Sequence, residues 1–143
     1  MSRSLEDLTP EVKELCQQFL QGCIKIGHPM LVVQTFRSFE EQEALYAKGR
    51  FRPGPVVTWA RAGHSWHNFR RAFDVCFLRG GVDITWNGPW ADIGQIGREL
   101  GLIWGGDWDQ GKQDRPHFEY HPGVTLEMAR ATNMIPKVKD YLA

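Results

Sequence analysis

Nothing in the sequence approaches the ~20 consecutive apolar residues that cross a bilayer, and its first ten residues are polar, with no apolar leader segment. The expectation is a soluble chain made in the cytosol, without stable membrane association. An excess of one charge is also missing: 17 Lys and Arg face 17 Asp and Glu, for a formal net charge of zero. A protein that grips nucleic acid mainly through its phosphates should show a basic excess, so that class loses ground and no nucleic-acid partner is expected. Cysteine is scarce. Cys16, Cys23 and Cys76 are odd in number and no pair has Cys-x-x-Cys spacing, so they read as buried free thiols rather than a disulfide framework. Repeats, low-complexity segments and linkers are lacking too. The 143 residues therefore read as one domain, 1–143, large enough to build its own core.

What is present is an ordinary globular balance, 42% apolar and 24% charged, with six tryptophans available to core or cleft. Thr9-Pro10-Glu11 is a helix start: hydroxyl N-cap, proline at N1 and acid in the first turn. Val12, Leu15, Cys16, Phe19, Leu20 and Cys23 follow at helical spacing, and Gly27 ends the run. Met30 to Thr35 reads as a buried strand. Ser38-Phe39-Glu40-Glu41 is a capping box that opens a second helix reaching about Lys48, which sets Arg37 at a strand–helix junction. Phe51 to Gly63 reads as a long loop bordering a site. Ala72 to Leu78 and Val82 to Trp86 form a hairpin around Gly80-Gly81. Pro89 opens a third helix whose inner face carries Trp90, Ile93, Ile96, Gly97 and Leu100. Short strands at Leu102 to Trp104 and His117 to Tyr120, a helix from about Thr125 to Ala131 and a polar tail complete the chain. The fold class is α+β, an antiparallel sheet with helices packed on one side.

Asp74 stands out within this pattern. It lies inside a strongly apolar strand, where an unpaired carboxylate is costly to bury, so it needs a cation, a hydrogen-bond cluster or a metal. His67 precedes it by seven residues. A structural hydrogen-bonded pair would satisfy both. His117, with Asp114 three residues before it, widens the choice. A zinc hydrolase needs three protein ligands, an open position for water and a carboxylate to take that water's proton. His67, Asp74 and His117 supply ligands of the right kinds and Asp114 the carboxylate, although Asp114 also suits an ordinary turn.

Ser65-Trp66-His67-Asn68-Phe69-x-x-Ala72-Phe73-Asp74 resembles the Ser-x-His-x-x-Gly-x-Ala-x-Asp signature of zinc D-Ala-D-Ala carboxypeptidases, and Asp114-x-x-His117-Phe118 resembles that family's second motif. Thr35-Phe36-Arg37-Ser38 with Gln42 and Leu45-Tyr46, Ala60-Arg61-Ala62-Gly63, and Gly101-Leu102-x-Trp104-Gly105-Gly106-Asp107-Trp108 resemble its L-alanyl-D-glutamate endopeptidase branch, found in phage endolysins. The resemblance runs from about Val33 to Tyr120. It departs at Arg70, which stands where the family has glycine. That replacement bears on local loop geometry, since glycine tolerates backbone conformations other residues do not, and removes no ligand.

The resemblance implies a carboxypeptidase-like zinc peptidase fold and one Zn2+ per chain held by His67, Asp74 and His117. It implies Asp114 as general base and then acid, and Arg37 as the cation beside a developing oxyanion or substrate carboxylate. Ser65, Trp66 and Gln42 are implied substrate contacts. Cys16, Cys23, Cys76, His28, His64 and His121 are read as outside the chemistry, with His121 exposed, and Asp107 as a turn residue or a support behind the ligands rather than a ligand. The expected activity is hydrolysis of the L-alanyl-D-glutamate bond of peptidoglycan stem peptides, lysing the bacterial wall. The expected agent is a monomer without a separate wall-binding domain. It would be held in the host cytoplasm until a holin-type protein permeabilises the membrane. The rivals are a D-Ala-D-Ala carboxypeptidase or dipeptidase, with the same ligands, and a non-catalytic wall-binding module, against which an intact Asp114 argues.

Overall fold

Along one strand Phe73, Val75 and Phe77 alternate with Ala72, Asp74 and Cys76, and that alternation divides the protein into a packed face and a working face. The strand is β2, Ala72–Arg79, at the centre of a sheet seen in a computed structural model that describes residues 1–132. The polar tail expected after the last helix lies outside the described residues.

All the strand pairings are antiparallel. β1 (Met30–Gln34) lies along one edge of β2, while β3 (Asp83–Thr85) and β5 (His117–Glu119) share the other; β4 (Ile103–Trp104) flanks β5. Two registers bring polar residues together around Asp74. It pairs with His117 across β2–β5, and with Gln34 across β1–β2, just past an irregularity between Val32 and Gln34. Residues directly opposite in an antiparallel ladder put their side chains on the same face, so Asp74 and His117 are neighbours by construction.

The packed face is covered by α1 (Pro10–Lys25) and α3 (Trp90–Glu99). Thr9 caps α1 by accepting from the Val12 N–H, and Val12, Cys16, Phe19 and Cys23 are buried along its inner stripe. Phe19 meets Phe118 at 4.6 Å and Phe73 at 5.6 Å between ring centroids. α3 lies close to the sheet because two of its residues have no side chain. A Cβ on Gly94 would fall 2.3 Å from the Trp104 ring, and one on Gly97 2.5 Å from the Phe118 ring. Trp104 is thereby a core residue, not a cleft wall.

The working face is framed by α2 (Phe39–Ala47), a 3-10 turn at Trp66–Phe69 and α4 (Leu126–Ala131). The capping box is realised in both directions: Ser38 N–H donates to Glu41 Oε1 and Glu41 N–H to Ser38 Oγ, each at 3.0 Å. Trp66, Phe69, Ala72 and Ala129 form a second small apolar cluster that seats α4 beside the turn. In β5 His117, Phe118 and Glu119 are all buried. The side chains still alternate in direction, but the framing elements cover the second face as well. Among the described residues no helix is long and apolar enough to cross a membrane.

Candidate metal centre

The floor of the working face is a cleft of about 1000 Å³. Three side chains converge there. His67 Nε2 and His117 Nδ1 each lie 3.1 Å from Asp74 Oδ1, and the three donor atoms fall within 4.8 Å of one another. His117 is placed by the ladder register. His67 comes from the 3-10 turn, whose entry is fixed by Ser65 Oγ accepting from the His67 N–H at 3.3 Å. Buried Asn68 locks the turn in place: its amide donates to the Arg37 carbonyl at 2.9 Å and its oxygen accepts from the Gly63 N–H at 3.1 Å. Asn68 lies between two motif residues, and no sequence signal marks its role. Only its complete burial identifies it as the clamp.

These residues fit a metal ion on the chemistry of the donors. A histidine ligand normally hands its second nitrogen to an acceptor that fixes the tautomer. Here His67 Nδ1 faces the Thr35 carbonyl at 2.7 Å and His117 Nε2 faces Glu119 Oε1 at 2.7 Å. Both remaining nitrogens point at Asp74. The set is two imidazoles and one carboxylate opening on a cleft, the composition of a catalytic rather than a closed structural zinc site.

The charges are strongly coupled. Burial works to raise the Asp74 pKa, but the His67 charge and hydrogen bonds from both histidines outweigh it and hold the carboxylate well below its usual range. Burial disfavours the charged form of His117, yet its bonds to Asp74 and Glu119 push its pKa up to about 10. Burial likewise works to raise Glu119, and its bonds to His117 and His121 bring it down to about 2.

Asp114 lines the same cleft from the loop before β5. Its residue surface is open to solvent, but nearby protein strips enough hydration from the carboxyl to raise its pKa. The His117 charge opposes that rise and Asp74 adds to it. Its backbone is pinned independently: the Asp114 N–H donates to the Gly105 carbonyl at 2.9 Å, and its own carbonyl accepts from the His117 N–H at 3.2 Å. Gly105 is required for that approach, since a Cβ there would lie 2.1 Å from the Asp114 carbonyl oxygen.

Arg37 reaches the cleft from the β1–α2 junction and is 8% exposed. One Nη donates to Gln42 Oε1 at 2.8 Å, the other to Gln34 Oε1, and its buried Nε has no hydrogen-bond partner among the described residues. Gln42 therefore differs from its expected role as a substrate contact. It is fully buried, does not line the cleft, and ties Arg37 to the Ala60 carbonyl at 2.7 Å. Ser65 and Trp66 do line the cleft, together with Trp108, whose ring lies 5.1 Å from that of His117.

The other residues read as bystanders divide. Asp107 pairs with Arg98 on the surface, and His28 lies against Phe77 and Arg79. His64 lines the cleft. His121 is not exposed as expected: it is half-buried, stacked on Trp66 at 4.0 Å and bonded to Glu119. Arg70 adopts the left-handed conformation, φ 62°, that its glycine counterpart would take freely. Its guanidinium lies 4.0 Å over the Phe36 ring and its Nη1 donates to the Asp7 carbonyl at 3.1 Å. These contacts offset the backbone cost of about 1 kcal/mol or more.

Similarity to known proteins extends over most of the chain. A family model described as D-alanyl-D-alanine carboxypeptidase (VanY) matches residues 5–85, and a second of the same description matches residues 59–120. The peptidoglycan L-alanyl-D-glutamate endopeptidase CwlK of Bacillus subtilis is 36% identical over 126 residues, covering 81% of this chain and 75% of its own. The crystal structure of the Serratia marcescens L-Ala D-Glu endopeptidase ChiX superposes with a TM-score of 0.56 at 25% identity, covering 84% of this chain and 87% of that one. A mutant of the vancomycin resistance D,D-pentapeptidase VanY, solved in complex with Zn(II), shares the fold. Its TM-score is 0.58 at 18% identity, over 95% of this chain and 84% of that one.

Proposed function

The chain belongs to the D-alanyl-D-alanine carboxypeptidase family of metallopeptidases, and from that premise we propose that it hydrolyses the L-alanyl-D-glutamate bond of peptidoglycan stem peptides with one zinc ion at His67, Asp74 and His117. The observation that carries the reading is the convergence of those three donors on a cleft that also receives Asp114 and Arg37. The choice of bond is supported by the relatives named L-alanyl-D-glutamate endopeptidases.

When bound, zinc supplies a Lewis acid for the scissile carbonyl and acidifies a water. The chain's own residues do the rest. Asp114 accepts the water proton and returns it to the departing amine, a task its raised pKa suits. Arg37, held by Gln34 and Gln42, turns its remaining N–H donors toward the negative charge that grows on the carbonyl oxygen or toward a substrate carboxylate. Trp66 and Trp108 wall the cleft and limit bulk water around the reacting groups.

The wider biological reading belongs to the same proposal and rests on the resemblance to phage endolysins. The protein is a monomer kept in the bacterial cytoplasm, released to the wall by a separate holin-type protein, and lytic once there. Mass spectrometry of purified peptidoglycan fragments tests the chemistry. New amino-terminal D-glutamate, abolished by a chelator and restored by zinc, is the expected product. Release of terminal D-alanine instead would make the protein a carboxypeptidase, and no new terminus in the presence of zinc would leave a wall-binding module.

A further inference from the structure

Behind His117, on the side away from Asp74, three residues outside the ligand and base assignments form a continuous contact chain. β5 sends Phe118 into the core and places His117 and Glu119 side by side on the working face. Glu119 has both oxygens engaged. Oε1 lies 2.7 Å from His117 Nε2, and Oε2 is bonded to His121 Nε2. The His121 ring in turn stacks on Trp66, 4.0 Å away and 9° from parallel. Trp66 immediately precedes His67 in the 3-10 turn. The chain thus runs from one histidine of the site, through Glu119, His121 and Trp66, to the segment bearing the other. Ala72, directly opposite Glu119 across the ladder, has no side chain long enough to intrude.

We propose that Glu119, itself steadied by His121 on the Trp66 face, is the positioning residue that makes His117 a ligand through Nδ1. This role rests on the assignment of His67, Asp74 and His117 as a metal site. The nitrogen of His117 that faces Asp74 is Nδ1, so the ring can offer a lone pair there only when its proton sits on Nε2. An acceptor at Nε2 selects that tautomer and fixes the ring plane, and a carboxylate acceptor also raises the ligand's basicity. His67 has no carboxylate behind it: its Nδ1–H meets a backbone carbonyl, which orients the ring without adding charge. The two imidazoles are therefore unequal, and His117 is the stronger donor. The same geometry removes Glu119 as a rival to Asp114 in proton transfer, because both of its oxygens are occupied and it is only 7% exposed.

The test is zinc affinity, read by competition with a chromophoric chelator on the purified full chain, alongside the visible spectrum of the cobalt(II)-substituted protein. Loss of an outer carboxylate on a metal-bound histidine typically weakens metal binding ~10–100-fold, and that loss is expected for Glu119→Ala and for Glu119→Leu. Glu119→Gln keeps an oxygen that can accept from Nε2–H, so it should recover most of the affinity and a cobalt spectrum close to the parent. His121→Phe keeps the stack on Trp66 but frees Glu119, and should lose less than Glu119→Ala. Circular dichroism of the metal-free variants identifies those that fold; Glu119→Gln, which keeps side-chain size, serves if the truncations do not, and should bind zinc more weakly than the parent. Parental zinc affinity in folded Glu119→Ala or Glu119→Leu, or in Glu119→Gln where only that variant folds, would make Glu119 a structural partner only and overturn the proposal. A parent chain that takes up no zinc in the same titration would instead overturn the metal site itself.

Discussion

Replacing Asp114 by Asn separates catalysis from metal binding. The change keeps side-chain size and removes the group assigned to accept the water proton. The protein's geometry limits what else can change. Asp114 is held through its backbone, by the Gly105 carbonyl on one side and the His117 N–H on the other, so loss of the carboxylate leaves both loop and ligand in place. Asp114 is also outside the group of donors that converge within 4.8 Å. Zinc should therefore stay bound, with affinity lowered only by the loss of one nearby negative charge. General acid–base catalysis contributes ~10²–10⁴-fold, so kcat/KM should fall by that factor, about 2.7–5.5 kcal/mol of barrier. His117→Ala is the contrast. It removes a ligand and takes one partner each from Asp74 and Glu119, so zinc and activity should fall together. The assay is turnover of a defined muropeptide with zinc content measured on the same samples. An Asp114→Asn protein that loses zinc as His117→Ala does would make Asp114 a ligand. One that keeps both zinc and full activity would move proton transfer to another group.

Zinc binding near pH 7.5 should release about one proton, because His117 is held protonated in the metal-free chain and must give up its Nδ1 proton to become a ligand; calorimetry in buffers of different ionisation enthalpy reads this, and no buffer dependence would contradict it. In the metal-free protein His117, raised from 6.5 to about 10, adds stability that is complete below pH 6.5 and fades as pH climbs to about 10. Glu119, lowered from 4.5 to about 2, adds stability present above pH 4.5 and lost as pH falls to about 2. Chemical denaturation of the chelated protein should show a plateau between those limbs, and a flat profile through both would refute the coupling. Gly94→Ala should destabilise the fold, because overpacking against Trp104 costs about 1–3 kcal/mol, more than the ~1 kcal/mol that alanine returns in helix propensity; an unchanged or higher Tm would refute the tight α3–sheet contact. Cys16 and Cys23, pushed up to about 12 by burial, should resist alkylation in the native state at pH 8, and alanine at all three cysteines should leave turnover per folded molecule intact. Rapid labelling before unfolding would show that these thiols are accessible.

Local chemistry settled much of this protein at the level of sequence. The Thr9 cap, the Ser38–Glu41 box and the glycine turn after β2 depend on residues within a few positions of one another, so their outcome is decided before the chain collapses. Asp74 inside an apolar strand announced a partner because burying a lone carboxylate is costly wherever the strand is placed. Other features waited for the tertiary structure. Which nitrogen of each histidine faces Asp74 is set by strand register and by acceptors on other segments or beyond the ligand itself, Thr35 for His67 and Glu119 for His117. Gln42 was expected to touch substrate, but its amide donates to the Ala60 carbonyl instead, and His121 looked exposed until Trp66 came beneath it. Arg70 could stand in for glycine only because Phe36 and Asp7 were brought to its side chain. The division follows from range: propensity and capping are properties of one segment, whereas side-chain partners belong to pairs of segments whose register exists only in the folded chain.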